Sequence, residues 1–171
     1  MRSKIIPNIS VDCVVFGFDA TTKSLNVLLL KRYLESKETG EILVNDLVLT
    51  GYHALENETI DDTATRVLRE LTGLDNLYKK QFKIFGDPNR LMNEKDIIWV
   101  ESENFNPRTI TIAYYFLVKT HEVDIENNSL QSQWFPVNNL PELGFDHKTI
   151  INEAYADLKA KSLTEPIIFE L

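Results

Sequence analysis

A chain of 171 residues with 43% apolar side chains can bury one good core, as one domain or one domain with an appendage. Its formal charge of -8 excludes a broad electrostatic footprint for nucleic acid or an acidic membrane, though not a local basic patch. The single cysteine, Cys13, excludes an internal disulfide and fits a reducing, cytoplasmic setting.

Cys13 lies in the first predicted strand, "SVDCVVFGF", where it reads as a small buried hydrophobe. The start "MRSKIIPNIS" lacks the apolar run of a secretory leader, and no window reaches membrane-spanning length. A second strand, "SLNVLLLKR", follows the turn residues 19–23, "DATTK". The stretch "ESKETGEILVND" reads as a polar loop returning to a short strand, "LVLT". In "TIDDTATRVLREL", the spacing of Ile60, Ala64, Val67, Leu68 and Leu71 predicts a helix. Thr59 caps its start, Asp61 and Asp62 suit its first turn, and Gly73 supplies a left-handed stop.

Beyond that helix, "YKKQFKIFGD" predicts a strand. The connection "PNRLMNEKDIIWVESENFNPR" is long for a hairpin and predicts a short strand of its own in "DIIWV". The β-branched and aromatic "TITIAYYFLVK" is the clearest strand. Alternation there sends one of Tyr114 and Tyr115 inward and the other out. A last strand and turn, "QSQWFPVNNLP", precede the helix "DHKTIINEAYADLKAKS", with Asp146 as cap and His147 at its start. Strands, helix, strands, helix in that order predict an α+β sandwich with a mixed sheet between helices. No cluster has zinc-ligand spacing, and there is no glycine-rich phosphate loop.

Residues 51 to 74, "GYHALENETIDDTATRVLRELTGL", resemble the motif of the Nudix superfamily. Aligned on Gly73 and Leu74, the match takes in Glu58, Arg66, Leu68 and Glu70. It departs at Tyr52, which replaces the motif's first glycine, and at Val67 and Leu71, which replace two glutamates. The segments "FGDPNR", "TITIAYYFLV", "FDHKTI" and "EPIIFEL" are similar to the Nudix-like domain of bacterial transcriptional regulators of NAD and sugar metabolism, and to related ADP-ribose-type hydrolases. The resemblance implies a Nudix-type α/β/α sandwich over residues 1–144. It reads 145–171 as a C-terminal helix and tail, where the regulators continue into a winged-helix domain. It also implies a homodimer.

In Nudix enzymes the helix carboxylates hold Mg²⁺ against a substrate diphosphate, because hard cations want oxygen ligands. Positions 67, 70 and 71 share one side of a helix, so Val67 and Leu71 extend the apolar stripe and leave Glu70 alone. Glu70 reads as an ion-pair partner of Arg66, four residues earlier, or as a weak surviving metal ligand. The candidate catalytic residues are Glu58 and Glu70, the latter only if the chain is active. Candidate ligand-binding residues are His53, Arg90, Arg108 and Tyr115, with the arginines suited to bidentate phosphate recognition. His53 and the arginines also have plain structural readings. Three functions compete: a metal-free sensor of a phosphorylated or nucleotide-linked metabolite, a Mg²⁺-dependent hydrolase of a nucleoside diphosphate derivative, and a purely structural module. Glu94, Asp96, Glu101 and Glu103 leave the hydrolase a second source of ligands. No direct nucleic-acid or membrane binding is expected of this chain.

Overall fold

Strand β1 (Ile5–Asp19) is apolar on both faces because helices cover both. Val11, Cys13 and Val15 pack in one core with Ala64, Val67 and Leu68. Val14 and Phe16 pack in a second core with Ile150, Ile151, Ala154 and Leu158. These contacts come from a computed structural model that describes residues 5–125 and 131–164, without the side chains of residues 5–7, 71, 72 and 164. The "EPIIFEL" segment and the side chain of Leu71 therefore lie outside the described residues.

The strands after β1 are β2 (Ser24–Glu35), β3 (Ile42–Val48), β4 (Thr50–Leu55), β5 (Tyr78–Phe85), β6 (Ile110–Lys119) and β7 (Ser132–Pro136). The main path of the mixed sheet runs β3-β2-β1-β6-β5, with β4 added to β1 and β7 to β2. Among the strand pairs of the described residues, β1 and β6 are the parallel pair, from Ile9↔Ile110 to Phe18↔Lys119. The far half of β1 pairs with β2, from Phe16↔Val27 to Asp19↔Ser24. Its near half pairs with β4, from Ser10↔His53 to Cys13↔Thr50. The chain passes from β3 to β4 through Leu49 alone, leaving β2 for β1. That divergence opens the sheet beside Asp12, and the candidate site lies there.

Helix α1 (Ile60–Thr72) begins in a capping box: the Asp62 amide donates to the Thr59 hydroxyl, and the Thr59 amide donates to the Asp62 carboxylate. It ends at Gly73, whose φ of 71° is the left-handed conformation that glycine adopts without strain. Helix α3 (His147–Thr164) covers the opposite face. With the sheet between them, these helices make the α/β/α sandwich that the sequence predicts.

The structure differs from the sequence reading in several places. "DIIWV" is not a strand but part of helix α2 (Glu94–Ser102). Asn93 caps it by accepting from the Lys95 amide, and Asp96 and Val100, one turn apart, are its buried residues. A contiguous apolar run cannot by itself distinguish strand from helix, and the cap decides it. "LVLT" is divided between two strands, and β3 starts at Ile42, inside the stretch read as loop. Tyr114 and Tyr115 do lie on opposite faces, yet both are buried, because neither face is open. Asp146 starts α3 through its carbonyl, which accepts from Ile150, while its carboxylate faces Arg90.

Candidate functional site

Two groups of charged side chains flank the β4 region. The first is the motif itself. Arg66 donates from Nε to Glu58 Oε1 at 2.6 Å and from Nη2 to the His53 carbonyl at 3.2 Å. Glu58 also accepts from the Thr63 hydroxyl and the Leu55 amide, which ties the loop to the helix. Its bond to Arg66, foremost, holds the Glu58 carboxyl below the usual range. Glu70 Oε2 lies 3.4 Å from Arg66 Nη1, and its side chain is 61% exposed. Val67 is 3% exposed and packs in the core. The motif's carboxylates thus converge on an arginine. No group of three His, Cys, Asp or Glu among the described residues could hold a metal ion, so the donor set does not fit a helix-bound divalent cation of the kind the resemblance implies.

The second group surrounds a cavity of about 350 Å³. At its floor is Asp12, buried in β1. Burial pushes the Asp12 carboxyl up, against the opposing pull of Arg90. Arg90 Nη2 stands 3.6 Å from Asp12, and Arg90 grips Asp146 through Nε at 2.9 Å and Nη2 at 2.7 Å. A side chain at Gly51 would stand 2.2 Å from Asp12 Oδ1, so the close approach of β4 to this carboxylate requires glycine. His147 accepts the Leu49 amide on Nδ1 at 2.8 Å, which places its proton on Nε2, 3.7 Å from Asp12. Burial drives its pKa down to about 3, so the ring is neutral.

Helix α2 roofs the cavity, and a second buried arginine fastens it. Arg32, 1% exposed, donates to Asp46 at 2.8 and 2.6 Å and to Asp96 of α2 at 2.6 Å. Asp96 also accepts the Phe145 amide. The Phe145 and Trp99 rings lie 4.3 and 5.5 Å from the guanidinium. Past the helix, Phe105 stacks on His53 with centroids 3.9 Å apart, and Tyr52 meets Phe105 edge-on. Tyr52 also lies 5.8 Å from the Arg66 guanidinium, so the residue in place of the motif glycine connects the two groups. Two nitrogens of residues that line the cavity, Arg32 Nη1 and His53 Nε2, are themselves buried and have no hydrogen-bond partner.

The structure brings His53, Arg90 and Glu103 to the cavity and leaves Glu58, Glu70, Arg108 and Tyr115 outside it. Glu58 and Glu70 lie on the motif loop and helix. Arg108 is exposed and donates to the Gly86 carbonyl. Tyr115 lies under α3, with its hydroxyl on Asp157. Sequence reasoning missed Asp12, Arg32 and Phe105. One available signal was an acidic residue inside an otherwise apolar strand, since such a residue is rarely buried without a partner.

The fold is the Nudix α/β/α sandwich. A mutT/nudix family protein from Listeria innocua superimposes with a TM-score of 0.71 at 22% identity, covering 93% of this chain and 99% of that one. The NUDIX domain of Shewanella oneidensis NrtR, solved in complex with ADP ribose, superimposes with a TM-score of 0.61 at 23% identity, covering 92% and 90%. Of the longer NrtR chain this protein covers 64%. In sequence, the chain is 25% identical over 154 residues to an ADP-ribose pyrophosphatase of Methanocaldococcus jannaschii, covering 89% of this chain and 75% of that one. No family model matches. No helix among the described residues is long and apolar enough to cross a membrane.

Proposed function

We propose that this protein is a metal-free sensor that binds a nucleotide-linked metabolite of the ADP-ribose class without hydrolysing it, and that it works in the cytoplasm as a homodimer. The observation that supports this reading most is Val67, packed in the core where an active motif carries a carboxylate, beside a Glu70 whose charge is met by Arg66. A divalent cation needs several oxygen ligands converging on one point. Here the nearby carboxylates converge on a guanidinium instead. The ADP-ribose complex of the similar NrtR domain supports the ligand class. If it binds only the folded state, ADP-ribose is expected to raise the melting temperature in EDTA. A panel of nucleoside diphosphate derivatives with Mg²⁺ or Mn²⁺ is expected to give no turnover. Turnover with metal, and no stabilisation in EDTA, would overturn the reading in favour of hydrolysis.

That hydrolase is the second reading, and the sequence likeness to an ADP-ribose pyrophosphatase favours it. Its catalytic ligands would have to come from outside the motif helix. Asp96, one of the acidic residues of the long connection between β5 and β6, is already held by Arg32. Glu103 remains at the cavity wall. Homodimerisation is tested by light scattering, where a monomer mass at micromolar concentration counts against it.

A further inference from the structure

Helix α2 is held differently from the other two helices. Helices α1 and α3 each press a stripe of apolar side chains into a core on their own face of the sheet. None of the residues of α2 joins either core. Its buried residues are Val100 and a carboxylate, Asp96. Space lies at both of its ends. Trp99 and Val100 border the cavity of about 350 Å³, Asn93 and Lys95 border a second one of about 410 Å³, and Lys31 lines both. The chain on either side is exposed, at Met92 and Asn93 before the helix and at Glu103 and Asn104 after it. Few buried apolar contacts and exposed flanks are the marks of a segment that opens more easily than the whole fold.

What fastens α2 is Asp96. Its Oδ1 accepts from Arg32 Nη2 at 2.6 Å and from the Phe145 amide at 3.1 Å. The charge of Arg32 is already met without this carboxylate, because Asp46 takes Nε at 2.8 Å and Nη2 at 2.6 Å in the two-pronged pairing that suits a guanidinium. Removing one partner of a buried pair destabilises a fold when the other charge is left uncompensated. Withdrawing Asp96 strands no such charge. Arg32 keeps Asp46, with the Phe145 ring 4.3 Å from its guanidinium, and Asp96 regains water. The contact is a short, charge-assisted hydrogen bond that holds the helix and can still be released.

We propose that α2 is a lid, which undocks as a unit by turning at its exposed flanks, and that Asp96 on Arg32 is its latch. The undocked helix takes Trp99 and Val100 from the wall of the first cavity and Asn93 and Lys95 from that of the second, so the two spaces merge and the first opens to solvent. The lid goes beyond the sensor reading and does not rest on it, since it gates entry alike for a ligand that is kept and for a substrate that is cleaved.

The test follows hydrogen exchange on the full chain without ligand. In wild type, the amides of 97–102 and the Trp99 indole N–H should exchange faster than the buried amides of α1 and α3, at rates that low urea leaves unchanged. Asp96→Ala should speed exchange in α2 at least about tenfold, while α1, α3 and the urea midpoint stay near wild type. Asp96→Asn keeps an acceptor for the Phe145 amide but gives Arg32 no charge, and it should act in the same direction. The three histidines report on the cavity: His53 and His147 line it, and His121 is exposed on the turn after β6. Diethyl pyrocarbonate should modify at least one of the cavity pair faster in Asp96→Ala, with His121 unchanged. If 97–102 exchange together with α1 and α3 in wild type, or if Asp96→Ala unfolds the whole chain, α2 is an integral part of the fold and the lid is overturned. If Asp96→Ala leaves α2 exchange as it was, Asp96 is no latch. If it speeds exchange with no change at His53 or His147, the helix frays without opening the cavity. Either of these results also overturns the proposal.

Discussion

Arginine meets carboxylate in two different ways on the two sides of β4. At the motif, Arg66 is partly exposed and braces a loop to a helix through Glu58, with Glu70 on the solvent side. Under α2, Arg32 and Arg90 are buried, each between two carboxylates, and they hold together segments far apart in sequence. The first arrangement lies in the stretch that resembles a known motif. The second is scattered over residues 12 to 147 and surrounds the cavity. Resemblance pointed to the helix, whereas the enclosed space and the unpartnered donors lie beside it. A fold can gather side chains around a cavity away from the motif that resemblance singles out.

The contrast is broken most directly at Arg90. Arg90→Ala leaves Asp146 and Asp12 without their cation, and truncating one partner of a buried pair costs about 3–5 kcal/mol. Arg108→Ala, on an exposed arginine that donates only to a carbonyl, should cost under about 1 kcal/mol. Urea denaturation of the two variants decides it, and equal midpoints would show that Arg90 is as solvated as Arg108. Next in size is Val67→Glu, which puts back the carboxylate of the motif. In a packed stripe the new charge is buried or neutralised, at a cost of about 2–4 kcal/mol. An unchanged midpoint would mean that position 67 faces water, as it would in a working metal site.

The sandwich was legible because its strands and helices carry strong local patterns: Thr59 and Gly73 bound α1, and β6 is β-branched and aromatic throughout. The ion pair of Arg66 with Glu70 was legible for the same reason, since a four-residue spacing fixes the geometry. The cavity was not. Asp12 meets Arg90 and His147 only because β1 parts from β2 to pair with β4, and no local pattern encodes that divergence. Arg90 looked like a phosphate-binding loop arginine because its partner, Asp146, lies 56 residues away. The α2 helix escaped because "DIIWV" is a continuous apolar run, and what turns it into a helix is the Asn93 cap together with the contact of Asp96 with Arg32.

The buried network also predicts a pH response that begins at higher pH than that of the motif, where Glu58 is held low by Arg66. Burial lowers the His147 pKa from 6.5 to about 3 in the folded state. A group depressed on folding binds fewer protons when folded, so its contribution is present above the unfolded pKa and is lost as pH falls through the window from 6.5 toward 3. His53 is shifted the same way by burial. Asp12, raised by burial, acts in the opposite sense at lower pH. Between about pH 6.5 and 5, each such histidine weakens the fold by at most about 1.4 kcal/mol per pH unit. Denaturation midpoints measured across that interval should decline for wild type and decline less for His147→Gln. Parallel slopes would remove His147 from the account.

The smallest effect belongs to Glu70, and it separates the two regions most cleanly. Its carboxylate is largely exposed and its contact with Arg66 is 3.4 Å, so solvent screens the pair. Exposed pairs of this spacing contribute a few tenths of a kcal/mol. Glu70→Gln should therefore leave the denaturation midpoint within about 0.5 kcal/mol of wild type. It should also leave the response to magnesium unchanged, because Arg66 already neutralises this end of the helix and Val67 supplies no second oxygen. A cation that binds only the folded state must raise its melting temperature in proportion to the logarithm of concentration over Kd. Millimolar magnesium should thus barely move the melting temperature of either protein. If it raises that of wild type, and Glu70→Gln abolishes the rise, the motif helix holds a cation after all. The helix would then be a cation site and not merely a brace.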